Sequence, residues 1–236
     1  MKTNKLWSFL MMLTLVLGTT ISFSSCGSGD DDVTGGDGQT TSKAPKGAEA
    51  VDLGLSVKWA NMNIGAISPE GYGDYFAWGE TTPKNTYDWS TYNWCKGSYN
   101  NITKYCTNSS YGTVDDKVTL ELADDAAHAN WGGSWRMPTI AELNELRIKC
   151  KWQWTYMNGK KGYVVTGPNG NFIFLPAAGY HGKESLGMVG LSGIYLPSSL
   201  DASSMINAYH LGFGEGFVST SHGNRCDGLS VRAVCP

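Results

Sequence analysis

AAHANWGGSWRMPTIAELNEL, residues 126–146, reads as the close of one helix, a tight aromatic turn and the opening of a second helix. Ala126, Ala127 and Ala129 are strong helix formers, and Gly132-Gly133 directly after Trp131 supplies a stop. Pro138 interrupts the pattern. Thr139, with Glu142 three residues on, predicts a capping box in which hydroxyl and carboxylate each satisfy an orphan amide. Behind the cap, Leu143, Leu146 and Cys150 recur at helical spacing, with charged residues between them for water. Trp131 and Trp135 are large enough to anchor a core, and Arg136 is placed to reach carbonyls or a carboxylate. Trp131, Trp135, Arg136, Thr139 and Glu142 are therefore read as a structural corner and not as a catalytic centre.

Working outward, Asp124 and Asp125 fall in the helix that leads into this corner. Adjacent carboxylates lie on different sides of a helix and make no acid/base pair by themselves. Beyond the second helix, Lys151 to Met157 alternates Trp152, Trp154 and Tyr156 as a half-buried strand does. Tyr163–Thr166 and Phe172–Leu175 are apolar runs joined across Pro168-Asn169-Gly170, which is turn chemistry, so the three form an antiparallel meander. Short strands are expected around Ile194, Tyr209–Phe213, Phe217-Val218 and Leu229–Val234. On the other side, Val51 to Ala60 alternates as a strand with Leu53, Leu55, Val57 and Trp59 on one face. Tyr72–Trp78 and Thr86–Trp94 are aromatic but broken by Gly, Pro and Asn, and read as loops with short extended pieces. Tyr75, Trp78, Trp89 and Trp94 are read as core material, with a sugar-stacking platform as the alternative.

The chain has 236 residues, among them 30 glycines, 9 tryptophans and 12 tyrosines, and a net charge of −3. Glycine and aromatic richness with few charges suits a turn-rich domain of short strands, not a helical bundle. The charge lacks the basic footprint of nucleic-acid binding. Lys2 and Lys5, then the apolar run Leu6–Leu17, then Ser24-Ser25-Cys26 read as a lipoprotein signal over residues 1–25 with Cys26 as the lipidated residue. Residues 26–48, with the acidic run Asp30–Asp32, are too poor in apolar side chains to bury a core and read as a flexible tether. The folded domain is assigned to residues 49–236.

No nucleophile elbow, phosphate loop or dinucleotide fingerprint is present, and His181, His210 and His222 lack zinc-ligand spacing, so they read as surface loop histidines. No cofactor is expected, and calcium has no supporting motif. Cys95 and Cys106 flank a polar loop that a disulfide would staple in an exported protein. The five cysteines other than Cys26 are odd in number, which leaves at least one unpaired, and Cys150 is the expected buried spare.

The segment WGGSWRMPTIAELNEL resembles the W-G-G-x-W-R-x-P-T-x-A-E segment of the Fibrobacter succinogenes major paralogous domain (FISUMP) family, common in surface proteins of Bacteroidetes. VDLGLSVKWANMNIGA (51–66), GDYFAWGETTPK (73–84), FLPAAGY (174–180) and GLSVRAV (228–234) match the same family in order, so the resemblance spans roughly residues 50–235. It implies an α+β, C-type-lectin-like domain with short, mostly antiparallel strands, two helices and long glycine- and aromatic-rich loops. It also implies that the last strand pairs with the first. The acidic run resembles a surface-export signal, which implies an outer-membrane lipoprotein exposed on the cell. The family is in turn similar to formylglycine-generating, sulfatase-modifying oxidases, whose C-terminal cysteine pair binds copper. Cys226 and Cys235 are the corresponding candidates here, but they are nine residues apart and Cys235 is penultimate, so a structural disulfide or incidental thiols fit better.

Framework motifs fit the family closely up to about residue 180, and departures gather beyond it. Gly193-Ile194-Tyr195-Leu196-Pro197-Ser198-Ser199 replaces a Gly-Tyr-Tyr-Trp-Ser-Ser-Ser pattern, and His181 replaces an Arg. This contrast places ligand recognition on C-terminal loops at His181, Leu186, Met188, Leu196, His210, Glu215, His222, Asn224 and Arg225. The expected protein is a monomeric, non-enzymatic surface binder of a protein or glycan. The alternatives are an oxidase of the formylglycine-generating type and a structural envelope or fimbria-associated protein.

Overall fold

Thr139 opens helix α2, Ile140–Lys149, and the capping box forms as the spacing predicts: Glu142 N–H donates to Thr139 Oγ1 at 3.2 Å and Thr139 N–H to Glu142 Oε2 at 2.7 Å. This is seen in a computed structural model that describes residues 41–183 and 185–236. Cys26, the residue expected to be lipidated, the expected leader over 1–25 and residues 26–40 of the expected tether lie outside the described residues. Helix α1, Ala126–Trp131, begins at the alanines and does not end there. Asp124 closes a 3-10 turn, and Asp125 caps α1 by accepting His128 N–H at 2.9 Å, so neither lies inside the helix that the sequence suggested.

The strands, in chain order, are β1 Ala50–Val51, β2 Lys58–Ala60, β3 Tyr75–Phe76, β4 Lys151–Met157, β5 Lys160–Thr166 and β6 Phe172–Pro176. They continue with β7 Tyr180–Gly182, β8 Ser185–Gly187, β9 Ser192–Tyr195, β10 Asn207–Gly214, β11 Phe217–Asn224, β12 Leu229–Ser230 and β13 Val234–Cys235. Four sheets result, ordered β1-β2-β13, β11-β10-β9-β12-β3, β4-β5-β6 and β7-β8, and of these pairings β12–β9 alone is parallel. The domain is thus a mixed, sheet-rich unit with two α-helices among the described residues, compatible with an α+β or a mostly-β fold.

The meander β4-β5-β6 matches expectation, and its first turn is Asn158-Gly159, both at positive φ, as a tight two-residue hairpin requires. The stretch 51–60 differs from expectation. Its alternation is real, since Leu53, Val57 and Trp59 are buried, but Gly54 at φ +73° folds it back, and Val51 pairs with Trp59. A single strand becomes a hairpin. Val234 then pairs with Trp59 on the hairpin's second strand, bringing the two ends of the domain together.

Alternate residues of the β2–β13 ladder feed two different cores, because successive strand side chains point to opposite faces. Trp59 and Val234 join Leu143, Leu146, Tyr163, Tyr195 and Phe213 beneath α2. Ala60, Ala233 and Cys235 join the cluster containing Trp78, Tyr105, Trp131 and Trp135. Arg232, 1% exposed, ties this region together without a carboxylate. It donates to Asn63 Oδ1 at 2.9 Å, Ala60 O at 2.9 Å and Phe174 O at 2.8 Å.

Two other expectations are corrected. No disulfide joins Cys95 to Cys106: their thiols donate instead to Trp89 O at 3.0 Å and Asn108 O at 3.2 Å. The loop between them is held by bridges from Ile102 to Cys95 and Gly112, and by Asp115 accepting the N–H groups of Tyr105 and Cys106. The end of the tether is also part of the fold. Lys43 N–H and Ser42 Oγ both donate to Trp131 O, and Ala44 and Ala48 pack on the core, so the folded unit begins near residue 42 and not at 49.

Candidate binding surface

Around the corner, Arg136 grips Glu142 with two parallel hydrogen bonds of 2.8 and 2.6 Å and donates to Met137 O at 3.0 Å. Burial opposes ionisation of Glu142, yet the Arg136 guanidinium and the Thr139 N–H hold its carboxyl below the usual range. Asp125 is buried and pushed upward by that burial, although it accepts Met137 N–H through both oxygens. Trp131 and Trp135 meet edge to face at 5.2 Å. The Arg136 N–H and C=O bond to Val234, so the corner is stitched to β13. These groups bond to one another and to the fold.

The aromatic segment 72–94 turns inward. Trp78 is fully buried with its indole N–H on Pro197 O, and Trp94 donates to Gly79 O. Two of the expected ligand residues are buried with it. Arg225, 0% exposed, stands over the Trp78 ring at 4.8 Å and donates to Tyr92 Oη, Tyr105 O, Met205 O and Lys104 O. Leu196 follows β9, a central strand, and bonds through its N–H to Ser230 O. Neither reaches a ligand directly. A polar-looking loop sequence hid an arginine whose acceptors are backbone carbonyls distant in sequence.

The three histidines sit on β7, β10 and β11, not on loops. His181 packs 4.9 Å from the Tyr87 ring, its Nδ1 buried. His210 is held over Gly212 and Gly223 at mid-ladder. His222 is exposed, with Nδ1 2.9 Å from the buried Asp201 carboxylate.

The remaining expected residues separate into two groups. Leu186, Met188 and Glu215 are exposed at one end of the β10–β11 ladder, and His222 and Asn224 at or near the other. Seven register steps, from Gly214↔Phe217 to Asn207↔Asn224, lie between the ends. At about 3.3 Å per residue that is roughly 23 Å, too far for one small ligand. The first end is apolar: Met188, Val189, Leu191 and Phe217 are exposed there, and the Phe217 ring and Leu191 O both lie against Gly214.

The second end adjoins a polar groove of about 450 Å³ between the loops 107–111 and 202–205. The sequence reading named none of its lining residues, because the turn Thr107-Asn108-Ser109-Ser110 and the 202–205 loop read as ordinary polar surface. Its cue is Tyr111, an aromatic ring set directly after that turn. Ser203 is fixed by two bonds to Asp201 Oδ1, at 3.0 Å from its N–H and 2.6 Å from its hydroxyl. The hydroxyls of Ser109, Tyr111 and Ser204 and the amide Nδ2 of Asn108 make no hydrogen bond among the described residues, which leaves donors and acceptors facing the groove.

The titration of this end has a defined sign. Burial, then the charge of His222, pushes His210 down to about 4. Unfolded histidine takes its proton near 6.5, so its contribution is full above about pH 6.5 and is lost as pH falls toward 4. Asp227 acts oppositely: burial raises it to about 6, so its contribution falls as pH climbs from about 4 through 6. His210→Gln should flatten the rise of unfolding free energy with pH across this window, and Asp227→Asn should steepen it. Urea titrations at a series of pH values measure both slopes, and parent-like slopes in both variants contradict the assignment.

Cys226 and Cys235, the pair to which the oxidase resemblance points, lie in different clusters. Cys226 packs with Tyr87 and Tyr92, its thiol pushed up to about 12 by burial, whereas Cys235 lies in the separate cluster of Trp131 and Trp135. Comparison with protein-family models gives no match, and comparisons with curated proteins and with solved structures give none either.

Proposed function

We propose that this chain is a non-enzymatic binding protein of the FISUMP type, lipid-anchored through Cys26, with a C-type-lectin-like domain that takes a glycan at the cell surface. The observation that carries the reading is the groove between residues 107–111 and 202–205, where hydroxyls and an amide stand open beside the Tyr111 ring. A sugar offers hydroxyls that both donate and accept, and an apolar face that packs on an aromatic ring. The four pieces of framework sequence and the closing β2–β13 pairing support the family and its fold. The protein works as a monomer, without cofactor or nucleic acid, at the outer membrane. The scattered cysteines weigh against the oxidase alternative, and nothing in the domain favours the fimbrial one.

The test is a glycan array probed with the full chain and with Tyr111→Ala and Ser204→Val. Each variant should lose binding by about tenfold or more, since a stripped polar contact costs roughly 1–3 kcal/mol. Ser204→Val should melt as the parent does, whereas Tyr111→Ala also loses packing against the core and is read beside Tyr111→Phe, which keeps it. Binding that survives both variants removes the groove from the reading. In the native host Cys26→Ala should release the protein from membranes; a mutant still processed and membrane-bound contradicts the anchor. A second reading rests on the apolar end, where Met188, Val189, Leu191 and Phe217 are exposed together and suit a protein surface. Loss of ligand in Met188→Asp but not in Tyr111→Ala selects it.

A further inference from the structure

A second pocket, of about 440 Å³, lies between two sheet-edge strands, β1 and β6, and shares no residue with the polar groove. Its size falls within the range of small-molecule sites, and its character is the reverse of the groove's. Val51, Ile173 and Phe174 are buried in its walls, Met157 closes the β4 side, and Phe172 leaves 55% of its surface bare. The polar groups in the lining are few, and most are already engaged. Asn61 accepts from Glu49 N–H through Oδ1 at 3.1 Å and donates from Nδ2 to Gly47 O at 2.9 Å. Asn171 donates from Nδ2 to Asp52 O at 2.8 Å. Asn171 Oδ1 and one amide N–H each of Asn61 and Asn171 are left over, but the only charge in the lining is the Glu49 carboxylate, which forms no ion pair among the described residues. Beside that carboxylate a cationic donor outcompetes a neutral one.

We infer that this pocket is a binding site for a small organic amine, an aromatic or aliphatic body carrying one protonated amino group. The body covers Phe172 and fills the apolar walls, and the ammonium meets Glu49. An acid of the same shape is disfavoured, because its carboxylate would face the Glu49 charge with only neutral amide N–H groups to offset the repulsion. The site is independent of the glycan reading and stands or falls without it.

The experiment titrates the full chain with 2-phenylethylamine and, separately, with 3-phenylpropanoate, following backbone amide resonances by NMR. The amine is expected to saturate at or below about 1 mM with shifts centred on Val51, Met157 and Phe172. The acid should bind at least about tenfold more weakly. Glu49→Gln should erase that difference, and Phe172→Ser, a change at an exposed ring, should weaken the amine by about tenfold. If Glu49→Gln disturbs folding, the amine-to-acid ratio on the parent and the Phe172→Ser arm still decide. Equal binding of amine and acid, shifts centred elsewhere, or no saturation by about 1 mM overturns the inference.

Discussion

Replacing Arg232 with alanine is expected to cost about 4 kcal/mol of unfolding free energy. The guanidinium is buried, and burial lowers its pKa to about 10, yet it has no carboxylate partner. What holds it is three acceptors, Asn63 Oδ1, Ala60 O and Phe174 O, drawn from two stretches of chain more than a hundred residues apart. Removing the donors strands all three in a dry interior, at roughly 1–3 kcal/mol each, with some relief from water entering the void. For a domain of this size, 4 kcal/mol corresponds to a fall in Tm of about 8–16 °C. Arg232→Lys should recover only part of the loss, since an ammonium cannot span acceptors arranged for a planar fork. Arg232→Met fills the volume without donating and should remain strongly destabilised. Calorimetry on the three variants separates bonding from packing, and a parent-like melt for Arg232→Met contradicts the account.

Trp135→Ala should be comparably severe, at about 3–5 kcal/mol, from lost transfer energy plus an unfilled cavity. The ring is 1% exposed, packs against Trp131, and sits where α1, the 42–48 segment and β13 converge. Its indole N–H is buried without a hydrogen-bond partner. Trp135→Phe therefore gives back a desolvation penalty while losing some volume, and should cost far less than alanine. Arg136→Ala should also destabilise, since it leaves Glu142 half-buried without its cation. If Trp135→Ala and Arg136→Ala both melt like the parent but lose ligand, the corner is a functional site.

The parts of this fold that can be read from the chain are those decided within a few residues. The Thr139–Glu142 box, the alternation of Trp152 and Trp154 (which breaks at Tyr156, 63% exposed), and the 168–170 turn all depend on neighbours in sequence. Gly54 shows the limit: the period of 51–60 was right, but one residue at positive φ turned a strand into a hairpin without changing which side chains are buried. Arg225 and Arg232 mark a different limit. Charged side chains are rarely interior, and nothing near either residue announces the carbonyls that receive it. The candidate site was half visible for a similar reason. Leu186, Met188, Glu215, His222 and Asn224 are exposed as their settings suggested, but their division between two ends follows from the β10–β11 register, which depends on pairing and not on composition. Ser109 and Tyr111 were missed because the groove's two walls are about ninety residues apart in the chain.

The seam at the N-terminal edge has a mechanical meaning for a domain held at that end. Tension entering there meets the Ser42 and Lys43 contacts with Trp131 O first, then the light packing of Ala44 and Ala48, then the two-residue pairing of β1 with β2. These are loaded one after another, by peeling and not by shear, so they give way at low force. Freeing residues 43 to 51 releases nine residues, at most about 32 Å of chain at roughly 3.5 Å per residue. The β2–β13 pairing, the Arg232 clamp and the meander stay closed beyond that point. Tension from the N-terminal side is thus taken up as slack, at the expense of Glu49 and Val51 in the β1–β6 pocket, before it reaches the polar groove between 107–111 and 202–205.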